Sequence, residues 1–203
     1  MPWVNYLFCA LQNISNMKKF ILSTFILGAL IIQACTSQMN KETYSKYQTT
    51  GNEISNQAQA TLLANVSKAI QTGGPEYAVE FCNLEVSGIV DSLNNLFQCD
   101  IGRISDKNRN VNNSISSKED QIIWQIFANT TIIDTVVQDQ HHILYYKRIN
   151  TAMPACLKCH GVPGSDINEA TAQELNTLYP DDQATGYKLN DFRGLWKIRF
   201  DQN

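Results

Sequence analysis

Cys156-Leu157-Lys158-Cys159-His160 sets two thiols three positions apart with an imidazole directly behind the second. That spacing is the attachment pattern of c-type haem. Each thiol adds to one of the porphyrin's two vinyl groups, and the next residue then lies under the iron as its proximal ligand. A covalently held haem cannot dissociate, so a small domain keeps it without a deep enclosing pocket. The pattern occurs once, which implies one haem c. Three other readings compete. Half of a zinc ribbon needs a second CxxC, whereas Cys82 and Cys99 are seventeen positions apart. A thiol redox pair normally opens a helix in a βαβ unit; here the motif follows a hairpin candidate and precedes Gly161-Val162-Pro163-Gly164. A plain structural disulfide is the third.

The amino-terminal segment favours haem over these. Met17-Lys18-Lys19 is followed by an almost unbroken apolar run over residues 20–32 and then Gln33-Ala34-Cys35. A positive tip, an apolar stretch short for a membrane span and a small residue before the cut make an export signal over residues 1–34. Residues 1–16 carry no charge, so Met17 reads as the natural start. Ile32-Gln33-Ala34-Cys35 resembles the lipobox of bacterial lipoproteins, which implies lipidation of Cys35 and a membrane held through that lipid; Gln33 is the less usual residue in it. An uncleaved membrane helix is the competing reading. Both place the body on the periplasmic side of a bacterial membrane. Haem c is attached outside the cytoplasm, so motif and leader agree.

The formal charge is −3, and because residues 1–34 hold two lysines and no acid, the remainder carries −5. A mildly acidic body is a poor polyanion binder, which excludes nucleic acid as an expected partner. With 203 residues and 43% apolar content the chain suits one domain. Residues 35–57 lack a sustained apolar face and read as a lipidated tether, leaving 58–203 as the haem domain. Leu62, Leu63, Val66, Ala69 and Ile70 recur at helical spacing up to Gly73-Gly74. Pro75 opens a second helix whose Ala78, Cys82, Val86, Ile89, Leu93 and Leu96 form one apolar stripe, turning Cys82 to the core. A strand over 99–105 and an Asn-rich loop over 106–114 follow. Ser116 with Glu119 forms a capping box for a helix burying Ile122, Ile123, Ile126 and Phe127. Strands over 132–138 and 143–150 make a hairpin around Asp139-Gln140-His141-His142, and a last strand over 195–200 alternates Trp196, Ile198 and Phe200 against Leu195, Lys197 and Arg199. Long helices first and an antiparallel sheet after them give an α+β class.

The ligand opposite His160 stays open on these grounds. Met153 lies too close to Cys156 to reach the other haem face. His141 and His142 occupy a turn, where such residues are ordinarily solvated. Cys82 and Cys99 remain, and a cysteine on an apolar stripe is as well suited to being a small core residue. Neither a nucleophile elbow nor a phosphate loop nor a helical two-histidine zinc motif occurs, so an enzyme is not expected.

Several separated strings carry a resemblance. Glu80-Phe81-Cys82-Asn83, Arg103-Ile104-Ser105, Arg109-Asn110-Val111-Asn112-Asn113, Cys156 to Gly161, Tyr179-Pro180-Asp181-Asp182, Ala184-Thr185-Gly186-Tyr187 and Asp191-Phe192-Arg193-Gly194 are similar, in this order along about residues 58–200, to the exported c-type haem domains of the domain of unknown function 3365 family. Val111 departs from the proline often found there. The resemblance implies a PAS-like sensor fold and a haem held by His160 with Cys82 as the opposite ligand. A thiolate donates strongly and favours ferric iron, so such a pair predicts a low potential and a bond that loosens on reduction. Arg103, Arg109 and Arg193 are the cations expected at the haem propionates, since guanidinium pairs well with carboxylate; ordinary surface salt bridging is the alternative for each. Tyr179 and Tyr187 are expected at the haem edge. The expectation is therefore a lipid-anchored protein for redox or small-gas sensing, reporting to a membrane signalling protein. A periplasmic electron-transfer cytochrome with a redox partner and a zinc-binding or structural envelope lipoprotein are the alternatives.

Overall fold

The computed structural model describes residues 39–139 and 141–201; the expected export signal, the Met17 start and Cys35 lie outside the described residues. Helix α1 (Lys41–Leu84) starts at Asn40, whose side chain accepts from the Thr43 N–H at 2.8 Å. The break anticipated at Gly73-Gly74 is present: Gly74 takes φ 81, a left-handed conformation that costs glycine nothing, and the helix restarts at Pro75. The result is a long limb and a short limb on one helix. A turn at Glu85 then separates helix α2 (Val86–Phe97), so the single stripe expected from Pro75 onward bends. Ala78, Val86 and Leu93 stay buried along it while Leu96 faces solvent.

The tether expected over 35–57 is corrected by α1, which is helical from Lys41, and the compact unit begins at Met39 rather than at 58. Its packed face is built of Gly51, Ile54, Ser55 and Ala58, all buried. Small residues let the helix lie close to the sheet: a Cβ on Gly51 would sit 2.3 Å from Cγ of Tyr145. A packing face of glycine, serine and alanine has little apolar contrast, so hydrophobic periodicity cannot register it.

The strands β1 (Asp100–Ile104), β2 (Asp134–Gln138), β3 (His142–Asn150) and β4 (Phe192–Asp201) form one antiparallel sheet in the order β1-β4-β3-β2. Alternation sends Ile143, Tyr145, Trp196, Ile198 and Phe200 to one face, where α1 and α2 supply Ile54, Ala58, Leu62, Val86 and Leu93. The other face carries Leu144, Tyr146 and Leu195 and is covered by helix α3 (Lys118–Asn129).

Helix α3 corrects two further details. Its cap is Ser117, whose Oγ accepts from the Asp120 N–H at 3.0 Å, not Ser116. It buries Asp120, Ile123, Trp124 and Phe127, leaving Ile122 and Ile126 exposed. Trp124 stacks on Phe192 at 4.5 Å and sets the buried face; Ile122 and Ile126, four apart, ride the opposite side. Two short helices, α4 (Pro154–His160) and α5 (Glu169–Leu178), which the sequence reading did not assign, fill the stretch between β3 and β4. They close a third small core with Val79 of the short limb of α1, around Ile167 and Leu175.

Candidate functional site

Helix α4 carries the whole attachment motif. Met153 precedes it and Pro154 occupies its first turn. Cys156 and Cys159, three apart on a helix, fall on one face. All four described cysteines are free thiols.

His160 is oriented by the loop after α5. Its Nδ1 lies 2.8 Å from the Ala184 carbonyl oxygen. A carbonyl only accepts, so Nδ1 carries the proton and Nε2 keeps a bare lone pair, the tautomer that a nitrogen ligand needs. The loop is clamped onto α4 by two backbone bonds, Gly186 N–H to Gly161 O at 2.8 Å and Tyr187 N–H to His160 O at 2.9 Å. Burial pushes His160 well below the ordinary imidazole range, and the charges of Arg109 and Arg193 push the same way, so the ring is neutral at pH 7. Tyr187 stands edge-on to it with ring centroids 6.4 Å apart.

Three arginines converge on this histidine from separate elements. Arg103 is on β1 and stacks over Trp196 at 5.7 Å. Arg193, at the start of β4, donates to Ser105 Oγ at 2.9 Å and lies over Tyr187 at 5.3 Å. Arg109, in the loop after β1, donates from Nη2 to the Cys159 carbonyl at 2.6 Å and from Nε to Asp182 Oδ2 at 3.1 Å, and stacks on Tyr179 at 5.8 Å. Arg109 alone of the three has a carboxylate within ion-pair distance among the described residues. Arg193 Nε and the Tyr187 hydroxyl are buried without a hydrogen-bond partner. Burying cations and donors this way is costly unless an anion completes the site. The donors present therefore fit a group bearing carboxylates.

Cys82, on the short limb of α1, joins the cluster. Burial raises its thiol above the ordinary range while Arg103 and Arg109 oppose the shift. Cys159 is pushed up to about 11 by burial, with Arg109 again opposing and Cys82 among its neighbours. Burial likewise raises Tyr179, whose surroundings include Asn83, Cys82, Arg109 and Arg103. The candidates Cys82, Cys156, Cys159, His160, Arg103, Arg109, Arg193 and Tyr187 thus come together from six parts of the chain.

The other ligand candidates do not. Cys99 packs against the core beside α2. His142 starts β3, about 25 Å of strand from the end that leads into α4, and is bracketed by Asp139 and Asp201. His141 is exposed beside it, and Met153 is exposed at the head of α4. Among the described residues no three of His, Cys, Asp and Glu are grouped so as to hold a metal ion. Nor is any described helix long and apolar enough to cross a membrane.

Two participants had no assigned role in the sequence reading: Asp182, which holds Arg109, and the Ala184 carbonyl, which holds His160. Asp182 stands in one of the strings that carried the resemblance, but a backbone acceptor has no side-chain signature at all.

A solved structure shares this fold: the crystal structure of the cyanobacterial heme-protein Tll0287 superposes with a TM-score of 0.57 at 22% identity, covering 81% of this chain and 98% of that one. Among curated proteins none matches the chain. A family model, Tll0287-like, matches residues 31–200, through both limbs of α1, the motif on α4 and the sheet. The chain thus belongs to the Tll0287-like family.

Proposed function

We propose that this protein is an exported, lipid-anchored c-type haem protein that binds one haem covalently and serves redox or small-gas sensing. The observation that carries the haem reading is the convergence on one histidine, its Nδ1 committed to Ala184, of three arginines of which only one has a carboxylate partner among the described residues. The structural neighbour is described as a heme-protein, which supports the same cofactor. Cys156 and Cys159 would hold the porphyrin through thioether bonds, His160 and Cys82 would ligate the iron, and Arg103, Arg109 and Arg193 would face the propionates. The haem supplies a one-electron couple and, with one ligand released, a position for a diatomic gas.

The rest follows from the chain itself. His160 keeps Nε2 deprotonated and aimed by the Ala184 bond. The arginines neutralise acidic groups inside a low-dielectric site, where such pairs are strongest. Cys82 presents sulfur from a limb joined to the long part of α1 only through Gly73-Gly74 and to α2 through the turn at Glu85. A thiolate bond that loosens on reduction would free a position for a small gas, which favours sensing over a rigid electron carrier. The PAS-like reading of the sheet, the periplasmic location, the lipid on Cys35 and a membrane partner belong to the same proposal and rest on the leader and the resemblance.

Mass spectrometry of protein matured in a periplasm with a cytochrome maturation system tests the cofactor. The expected mass is polypeptide plus one haem, lost in a Cys156→Ser, Cys159→Ser double variant. The bare polypeptide mass for the unsubstituted protein would overturn the reading. A redox titration with and without nitric oxide separates the functions: ligand exchange on reduction supports sensing, and a fast couple indifferent to the gas supports electron transfer.

A further inference from the structure

The site holds one carboxylate that no haem ligand or propionate partner requires. Asp182 is nearly sealed, its side chain 7% exposed. Its two oxygens do different work. Oδ2 takes Arg109 Nε at 3.1 Å and lies 3.0 Å from Nη2, the same nitrogen that donates to the Cys159 carbonyl at 2.6 Å. Oδ1 accepts the Ala184 N–H at 2.8 Å, and the Ala184 carbonyl accepts from His160 Nδ1 at 2.8 Å. The short chain Arg109–Asp182–Ala184–His160 therefore ties the cation beside Cys82 and Cys159 to the imidazole.

We propose that Asp182 is the positioning residue of this centre, setting the aim and basicity of His160 through Ala184 and limiting the positive charge that Arg109 turns toward the site. The inference rests on the haem reading above. Both actions have the same sign. A firm Nδ1–H···O=C bond makes imidazole a better donor and favours the oxidised metal. A carboxylate on Arg109 removes positive charge that would favour the reduced metal. Losing Asp182 weakens the first and unmasks the second, so the potential rises.

The Asn and Ala variants separate the two. Asp182→Asn keeps one oxygen for the Ala184 N–H and turns an NH2 toward Arg109, so the charge and the Arg109 acceptor go together while the Ala184 acceptor stays; Asp182→Ala removes all three. In haem-loaded protein, Asp182→Asn is expected to shift the ratio of reduced to oxidised haem at fixed potential about tenfold, which is 59 mV for a one-electron couple. Asp182→Ala is expected to shift it further and to broaden the ferric electron paramagnetic resonance lines, which Asp182→Asn leaves sharp. Ratios of reduced to oxidised haem within twofold of the unsubstituted protein's in loaded Asp182→Asn and Asp182→Ala overturn the proposal. Where neither variant accumulates in folded form, Asp182→Glu, which keeps the charge on a longer arm, is read by the same resonance lines: displaced lines support positioning and unchanged lines overturn it. Unsubstituted protein without haem would overturn the haem reading instead, and is told apart by mass before any potential is measured.

Discussion

At the scale of single residues, position decides what a thiol does. Cys82 and Cys99 look alike in sequence, one on a helical stripe and one beside a strand, yet only Cys82 lies within reach of the arginines that surround His160. Cys82→Ala is expected to change the ferric absorption spectrum and to raise the midpoint potential by about 59 mV or more, because a thiolate stabilises oxidised iron; an unchanged ferric spectrum would remove Cys82 as the opposite ligand. Cys99 makes a different prediction. Burial, helped by the charge of Asp100, pushes its thiol up to about 11 from an ordinary 9.0. The folded state therefore keeps a proton that the unfolded chain gives up. That contribution is complete below pH 9 and is lost as pH rises toward about 11. Urea unfolding at about pH 8 and about pH 10.5 should show a smaller alkaline loss in Cys99→Ala than in the parent protein.

At the scale of elements, the sheet is held on each face by a different kind of contact. On the α3 side, Asp120 is 2% exposed and takes Tyr146 Oη at 2.7 Å and Lys197 Nζ at 2.8 Å. Asp120→Ala leaves both groups without their acceptor and is expected to cost about 3 kcal/mol, read by urea denaturation, with Lys197 keeping enough solvent access to hold the cost below the buried-pair limit. On the α1 side the fit is steric. Gly51→Ala puts a methyl against the Tyr145 ring and is expected to cost about 1–3 kcal/mol by the same measurement. Neither contact was legible in sequence. Asp120 drew no assignment and Gly51 read as part of a tether, because the partner that gives each its meaning lies elsewhere in the chain, at Lys197 and Tyr145.

At the scale of the whole molecule, the centre is assembled from the short limb of α1, β1, the loop after it, α4, the loop after α5 and the start of β4. Such a site concentrates positive charge that the protein alone does not balance: Arg103 and Arg193 have no carboxylate at ion-pair distance among the described residues. The haem-loaded protein is accordingly expected to resist urea better than the Cys156→Ser, Cys159→Ser variant produced without haem, by about 2–4 kcal/mol. Equal midpoints would mean that the arginines do not face the bound group. The Cys-x-x-Cys-His spacing, the Gly73-Gly74 break and the alternation along β4 were written locally, in spacing and in backbone preference, and the sequence alone determined them. The helical start of α1, the hidden face of α3, the Ala184 bond to His160 and the role of Asp182 were decided only by the tertiary structure, because each depends on a partner distant along the chain or on a backbone atom that every residue shares.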